Sequence, residues 1–326
     1  MPLRLGIKIF CTGRSMTIEG NSFRALGSWH RSRLFNKVQK CILMCHFDQD
    51  CLEIARAQLR CLQNFLLNPF HGTPISVISI SGVTLRPEEL LRFIRLIDQA
   101  GCRKASIATG ISDKYAFPPA LEPALDSIAL SHLRSLDIDH DSMCRTEWST
   151  LLPRITITNL HRLALRGNFT SLSLARFLLR HPHVAELESN ASWSHGDCMQ
   201  SSAMPRRFLE MRQLKFIDGP PSHILAIMKS LSDIPYELEI STVPEPRMSY
   251  HDYILDILSI ARVCYPTTKI QIRIPSYYHE KHRTTLTEAQ IVALRNANAS
   301  ALRIVELMLP PIGENDIVVR NISSLS

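Results

Sequence analysis

Leu160-His161-Arg162-Leu163-Ala164-Leu165-Arg166-Gly167-Asn168 carries leucine at its first, fourth and sixth positions. The same spacing, leucine or an equivalent at 0, +3 and +5, recurs at Leu133/Leu136/Ile138 and at Met211/Leu214/Phe216. It recurs again at Val184/Leu187, where polar Ser189 fills the last place. The four starts lie 27, 24 and 27 residues apart. A near-constant period in this range marks a chain of stacked units, each burying its apolar face only against its neighbours. Such a repeat offers a binding surface and brings no catalyst with it.

The frame extends in both directions. Upstream it takes in Ile75/Ile78/Ile80 and a weaker copy from Lys104 that contains Ile107. Downstream it takes in Leu238/Ile240 from Pro235, Ile270/Ile272 from Thr267, and Leu302/Val305/Leu307, about nine copies in all. Between copies the apolar period lengthens from 2 to 3.6, so strands and helices are expected to alternate. The clearest helix is residues 86–97, with Pro87 and two glutamates in its first turn. Ser171–Leu179, Ser222–Leu231, Tyr250–Val263 and Thr287–Ala297 read as its equivalents, and Pro182, Pro235 and Pro266 each follow a helix end.

Residues 160–168 match the strand pattern LxxLxLxxN of leucine-rich repeats at every defined position, and residues 171–182 resemble repeats of fungal F-box-type leucine-rich-repeat proteins. The resemblance covers residues 71–326. It implies an α/β leucine-rich-repeat solenoid, a horseshoe with parallel strands on the concave face and helices outside. It also implies non-enzymatic protein–protein recognition, as the substrate-binding part of an F-box-like ubiquitin-ligase adaptor. The pattern's asparagine is replaced by Asp141, Ser192 and Gly219 in neighbouring copies, so the repeats are expected to be irregular. The proline-led opening of an F-box is missing from residues 1–70. That departure leaves a free adaptor or a decayed copy as equal readings.

Composition narrows the classes further. Residues 1–40 hold eight Lys/Arg and one acid, so the whole formal charge of +7 sits there and the remaining 286 residues balance. A basic arm of this kind supports an alternative function, nucleic-acid association through the first 40 residues. A targeting segment or a remnant of a lost domain would look the same. Residues 36–67 read as largely helical, and residues 1–70 as a cap on the open end of the solenoid. No apolar run reaches about 18 residues, which argues against a membrane helix. Nine scattered cysteines and a start lacking a secretory pattern fit a reducing compartment, cytoplasmic or nuclear.

Candidate chemistry is sparse. Cys41, Cys45, His46, Cys51 and Cys61 form the one local metal-like cluster. It lacks the paired CxxC knuckles that set a tetrahedral site, and the cysteines read better as small core residues. His279-Glu280-Lys281-His282 is one residue short of the HExxH zinc motif. His181 and His183 read as surface histidines at a helix exit. Neither a phosphate-binding glycine loop nor a GxSxG nucleophile elbow occurs. The chain is therefore expected to be no enzyme and to need no cofactor or metal.

If 0, +3 and +5 are core positions, +2, +4 and +6 face the concave side. They read Asp137 and Asp139, Arg162 and Arg166, Glu186 and Glu188, Lys215, Glu237 and Glu239, then Lys269 and Arg273. The sign alternates from strand to strand. This suits either recognition of a mixed-charge protein or mutual neutralisation between neighbours. Ahead of them Ser79, Ser81 and Ser106 form an uncharged strip with Val77, Ala108 and Gly110. Trp193, Tyr277 and Tyr278 are candidate exposed aromatics. A uniformly basic face is ruled out, so nucleic acid is not expected there. The expected partner is an unidentified client protein, with a ubiquitin-ligase scaffold as a second possibility, bound by a monomer.

Overall fold

In Ser135–His140 the side chains alternate strictly: Leu136, Ile138 and His140 are buried, while Ser135, Asp137 and Asp139 are half-exposed. Period-two burial is what a strand with one covered face requires. The computed structural model describes residues 7–12, 15–20, 40–46, 59–60, 62–63, 66–67, 75–82, 84–108, 127–191, 208–244, 248, 250–265, 268–273, 305–309 and 318–321. The fold is α/β, built on a large parallel-strand sheet that does not close, with few helices. Two compact units divide it, Met1–Phe169 and Thr170–Ser326.

The first unit runs β1 (Ile7–Thr12), β2 (Ser15–Gly20), β3 (Lys40–His46), β4 (Ile75–Ser81), α1 (Pro87–Gln99), β5 (Lys104–Ala108), β6 (Ile128–Leu130), β7 (Ser135–His140), α2 (Arg145–Leu151), β8 (Ile155–Ile157) and β9 (Arg162–Gly167). Its main strands lie in the order β1-β2-β3-β4-β5-β7-β9. All neighbours are parallel except the β1–β2 hairpin. β6 and β8 pair separately. Two rows form the core. Leu43, Ile78, Ala105, Leu136 and Leu163 align across the strands, as do Cys45, Ile80, Ile107, Ile138 and Leu165. Each is at most 1% exposed. Burying a Leu or Ile side chain stabilises by about 1.5–3 kcal/mol, so the rows dominate this unit's energetics.

Polar devices fix the helices to the sheet. Pro87 opens α1, and the Glu89 carboxylate accepts the Arg86 N–H at 2.8 Å. At the other end Asp98, 6% exposed, accepts the backbone N–H groups of Ser131, His132 and Leu133 at 3.1, 2.8 and 2.9 Å. Trp148 of α2 is buried edge-on to Phe169, with ring centroids 5.6 Å apart. Gly167 sits at φ +151°, where a Cβ would come within 2.8 Å of that indole and of the His140 carbonyl. Only glycine fits there.

The second unit runs α3 (Ser171–Leu179), β10 (Glu186–Ala191), β11 (Phe216–Gly219), α4 (Pro221–Ser230), β12 (Glu239–Thr242), α5 (Tyr250–Val263), β13 (Lys269–Arg273), β14 (Val305–Leu309) and β15 (Val318–Asn321). The strands follow chain order, parallel as far as β14 and antiparallel at β15. One core row is Leu187, Ile217, Ile240 and Ile270; the next is Ser189, Gly219, Thr242 and Ile272. Tyr253 of α5 is fully buried, and its hydroxyl donates to the Thr242 carbonyl at 3.0 Å.

Four expectations are corrected. Residues 40–46 form a strand where a helix was expected; their unbroken apolar run, 41–45, fits either period, and pairing with β2 and β4 decides for the strand. Three copies start elsewhere: at Cys102 rather than Lys104, Leu214 rather than Met211, and residue 237 rather than Pro235. His181 is buried, not on the surface; its Nδ1–H donates to the Phe177 carbonyl at 2.7 Å while its ring stacks on Phe177. The helix near residue 222 is Pro221–Ser230. The helix expected at 287–297 lies outside the described residues.

Candidate functional site

Strands β4, β5, β7 and β9 present a second set of rows on the face away from the core. Ser79, Ser106, Asp137 and Ala164 align across them, as do Ser81, Ala108, Asp139 and Arg166. Val77, Lys104, Ser135 and Arg162 form a third row. The face is polar but knitted together laterally. Ser106 Oγ donates to Asp137 Oδ2 at 3.2 Å, and Arg166 Nη1 lies 3.5 Å from Asp139 Oδ2. Burial and neighbouring Asp141 raise the Asp139 carboxyl above the usual range, and Arg166 pulls it back. Arg162 is exposed, in register with neutral Ser135. Of the ten residues expected on this part of the face, nine lie on it and Gly110 is outside the described residues.

The expected alternation of charge fails in the second unit. Lys215 precedes β11 and is exposed; the residues standing on the face are Phe216 and Asp218. The sequence Met211 to Gly219 has apolar residues at 211, 214, 216 and 217, so it admits two frames. The frame that forms places Gly219 against the Ser189 carbonyl at φ +157°, an approach closed to any side chain. Glu237 likewise precedes β12, leaving Glu239 on the face. The rows then read Glu186, Phe216, Glu239, Lys269 and Glu188, Asp218, Ser241, Gln271. Glu188 stands beside Asp218, like charge beside like, and only Glu239 beside Lys269 keeps the expected alternation. Arg273 ends β13 in register with Met308.

Among the described residues, no group of three His, Cys, Asp or Glu is placed to hold a metal ion. Burial pushes the Cys102 thiol up to about 11 and Cys264 up to about 12, so neither is a thiolate at neutral pH. Burial lowers His181 and His223 to about 4 and also lowers His140, whose Nε2–H donates to the Leu85 carbonyl at 2.7 Å. Of the cysteine cluster, Cys45 occupies a core row. Cys51, Cys61, the 279–282 segment, Gly110, Trp193, Tyr277 and Tyr278 lie outside the described residues. Among those described, no helix is long and apolar enough to cross a membrane. No family model, no curated protein and no solved structure matches the chain.

Proposed function

We propose that the chain is an irregular leucine-rich-repeat solenoid that recognises a client protein on the strand face of its first unit, without catalysis. The observation carrying this reading is the registered polar face of β4, β5, β7 and β9. Small Ser79, Ser81 and Ser106 adjoin Asp137, Asp139, Arg162 and Arg166 on a rigid parallel sheet. Serines cost less to desolvate than the charges beside them, and those charges can fix the orientation of a polar partner. Strand addition in chain order, with apolar residues at 0, +3 and +5 in β7 and β9, supports the repeat. The resemblance of residues 160–182 to fungal F-box-type repeats favours a client of a ubiquitin-ligase adaptor.

Affinity capture from fungal lysate with the full chain tests this reading. Replacing Asp137, Arg162 and Arg166 together by alanine is expected to reduce client recovery at least tenfold, with little change in melting temperature. Undiminished recovery would exclude the face. The nucleic-acid alternative rests on the net charge of about +7 in residues 1–40. It requires instead that neutralising Arg24, Arg31, Arg33 and Lys37 abolish binding, with steep salt dependence.

A further inference from the structure

Outside the main sheet, short segments lead into some of its strands and pair with one another. In the first unit these are β6 and β8, which pair in parallel with Leu130 and Ile157 buried. Each of those residues lies three positions before its copy's first core position, Leu133 or Leu160. The same position in the second unit is held by His181, Met211, Ile234 and Cys264. His181 and Met211 are each 2% exposed, but Ile234 and Cys264 are only partly covered. Among the described residues of the second unit, the corresponding pairing is a single parallel bridge, Leu209 to Leu231. Beyond it a groove of about 620 Å³ opens between Leu231–Ile234 and Val263–Tyr265.

Val263 and Tyr265 line this groove, Tyr236 stands against Tyr265, and Leu255 lies about two turns earlier on α5. Tyr236, Leu255, Tyr265 and Val263 are 63%, 46%, 41% and 38% exposed, four of the six large apolar side chains so exposed among the described residues. The Tyr236 and Tyr265 rings lie 5.7 Å apart, and Leu255 and Val263 fall on one stripe of α5. The charged groups in the groove wall are Lys229 and Asp233, two residues to either side of Leu231, both exposed.

We infer that this groove joins two copies of the chain about a twofold axis passing near Leu231. Such an axis sets Lys229 of each copy against Asp233 of the other, so the patch is complementary to itself. Isologous dimers are built on that property. A dimer replaces the monomer expected from the sequence. Few exposed apolar side chains stand at the groove in each copy, and a standard interface buries roughly 800 Å² per partner, so association is concentration-dependent. Lys229 has a second neighbour on its own chain: burial and Asp252 raise the Asp256 carboxyl, and Lys229 offsets them. A single substitution at Lys229 is therefore not a clean test, and charge exchange is needed.

Sedimentation of the full chain across micromolar concentrations should show the mass rising from 37.0 kDa toward twice that value. Lys229→Asp and Asp233→Lys, each alone, should weaken dimerisation at least tenfold. The double exchange should restore it, and an equimolar mixture of the two single variants should form a mixed dimer. Tyr236→Ser, at the most exposed position, should weaken the dimer while circular dichroism still shows a folded chain, which covers the case of a charge variant that fails to fold. A monomer at every concentration would overturn the inference. So would dimers indifferent to the single exchanges, or a double exchange and mixture that restore nothing.

Discussion

Asp98 shows how much one buried carboxylate does in this chain. Its two oxygens accept three successive backbone N–H groups, tying the end of α1 to the entry of β7. Asp98→Asn removes the charge and one acceptor while keeping the shape. It is expected to cost about 1–3 kcal/mol, read as a lower urea midpoint at unchanged slope. Sequence reading missed Asp98, because a helix-terminal acid is ordinarily a surface residue. Two histidines were equally hidden. Burial holds His181 and His223 at about 4 in the folded chain, against about 6.5 when unfolded. Below 6.5 the unfolded state binds more protons, so their contribution is complete above that pH and is lost as pH falls toward 4. Stability should therefore decline between pH 6.5 and 5, and His181→Gln with His223→Gln should flatten that decline. An unchanged slope in the double variant would remove these histidines as its cause.

Elements were legible where apolar residues allow one frame. β7 and β9 have a single way to place leucine or isoleucine at 0, +3 and +5, and α3 and α5 match their expected limits. β11 has two ways, and the deciding residue is Gly219, whose close approach to the Ser189 carbonyl appears only once β10 is beside it. The observed register makes a sharp contrast between adjacent positions. Ile217→Asp buries a charge at a site with no exposure and should unfold the second unit, a loss of about 4 kcal/mol or more. Phe216→Lys, on the half-exposed face between Glu186 and Glu239, should cost about 1 kcal/mol or less. Circular-dichroism melts of the two variants check this, and the reverse order would restore the frame starting at Met211. β3 was misread for a related reason: a short apolar run is equally good as strand or buried helix until its neighbours are known.

At the scale of the molecule, the sequence conveyed a large parallel α/β sheet but not its β1–β2 hairpin, its antiparallel strand β15 or its partition at Phe169. Those features depend on pairing between segments that carry no repeat. Leu163→Asp places a charge at the β9 end of the core row, directly beside Leu136, so loss of β7 with β9 is expected in hydrogen exchange. The candidate face was legible in the first unit, where Asp137, Asp139, Arg162 and Arg166 stand as the frame required. In the second it was obscured by the slip that misplaced Lys215 and Glu237. Recognition on the first unit's face is tested most directly by a photo-crosslinking amino acid placed at Ser106, with Arg95 on the exposed side of α1 as the control. A client protein crosslinked from Ser106 and not from Arg95 is the expected result. The same proteins captured from both positions, or from Arg95 alone, would contradict it.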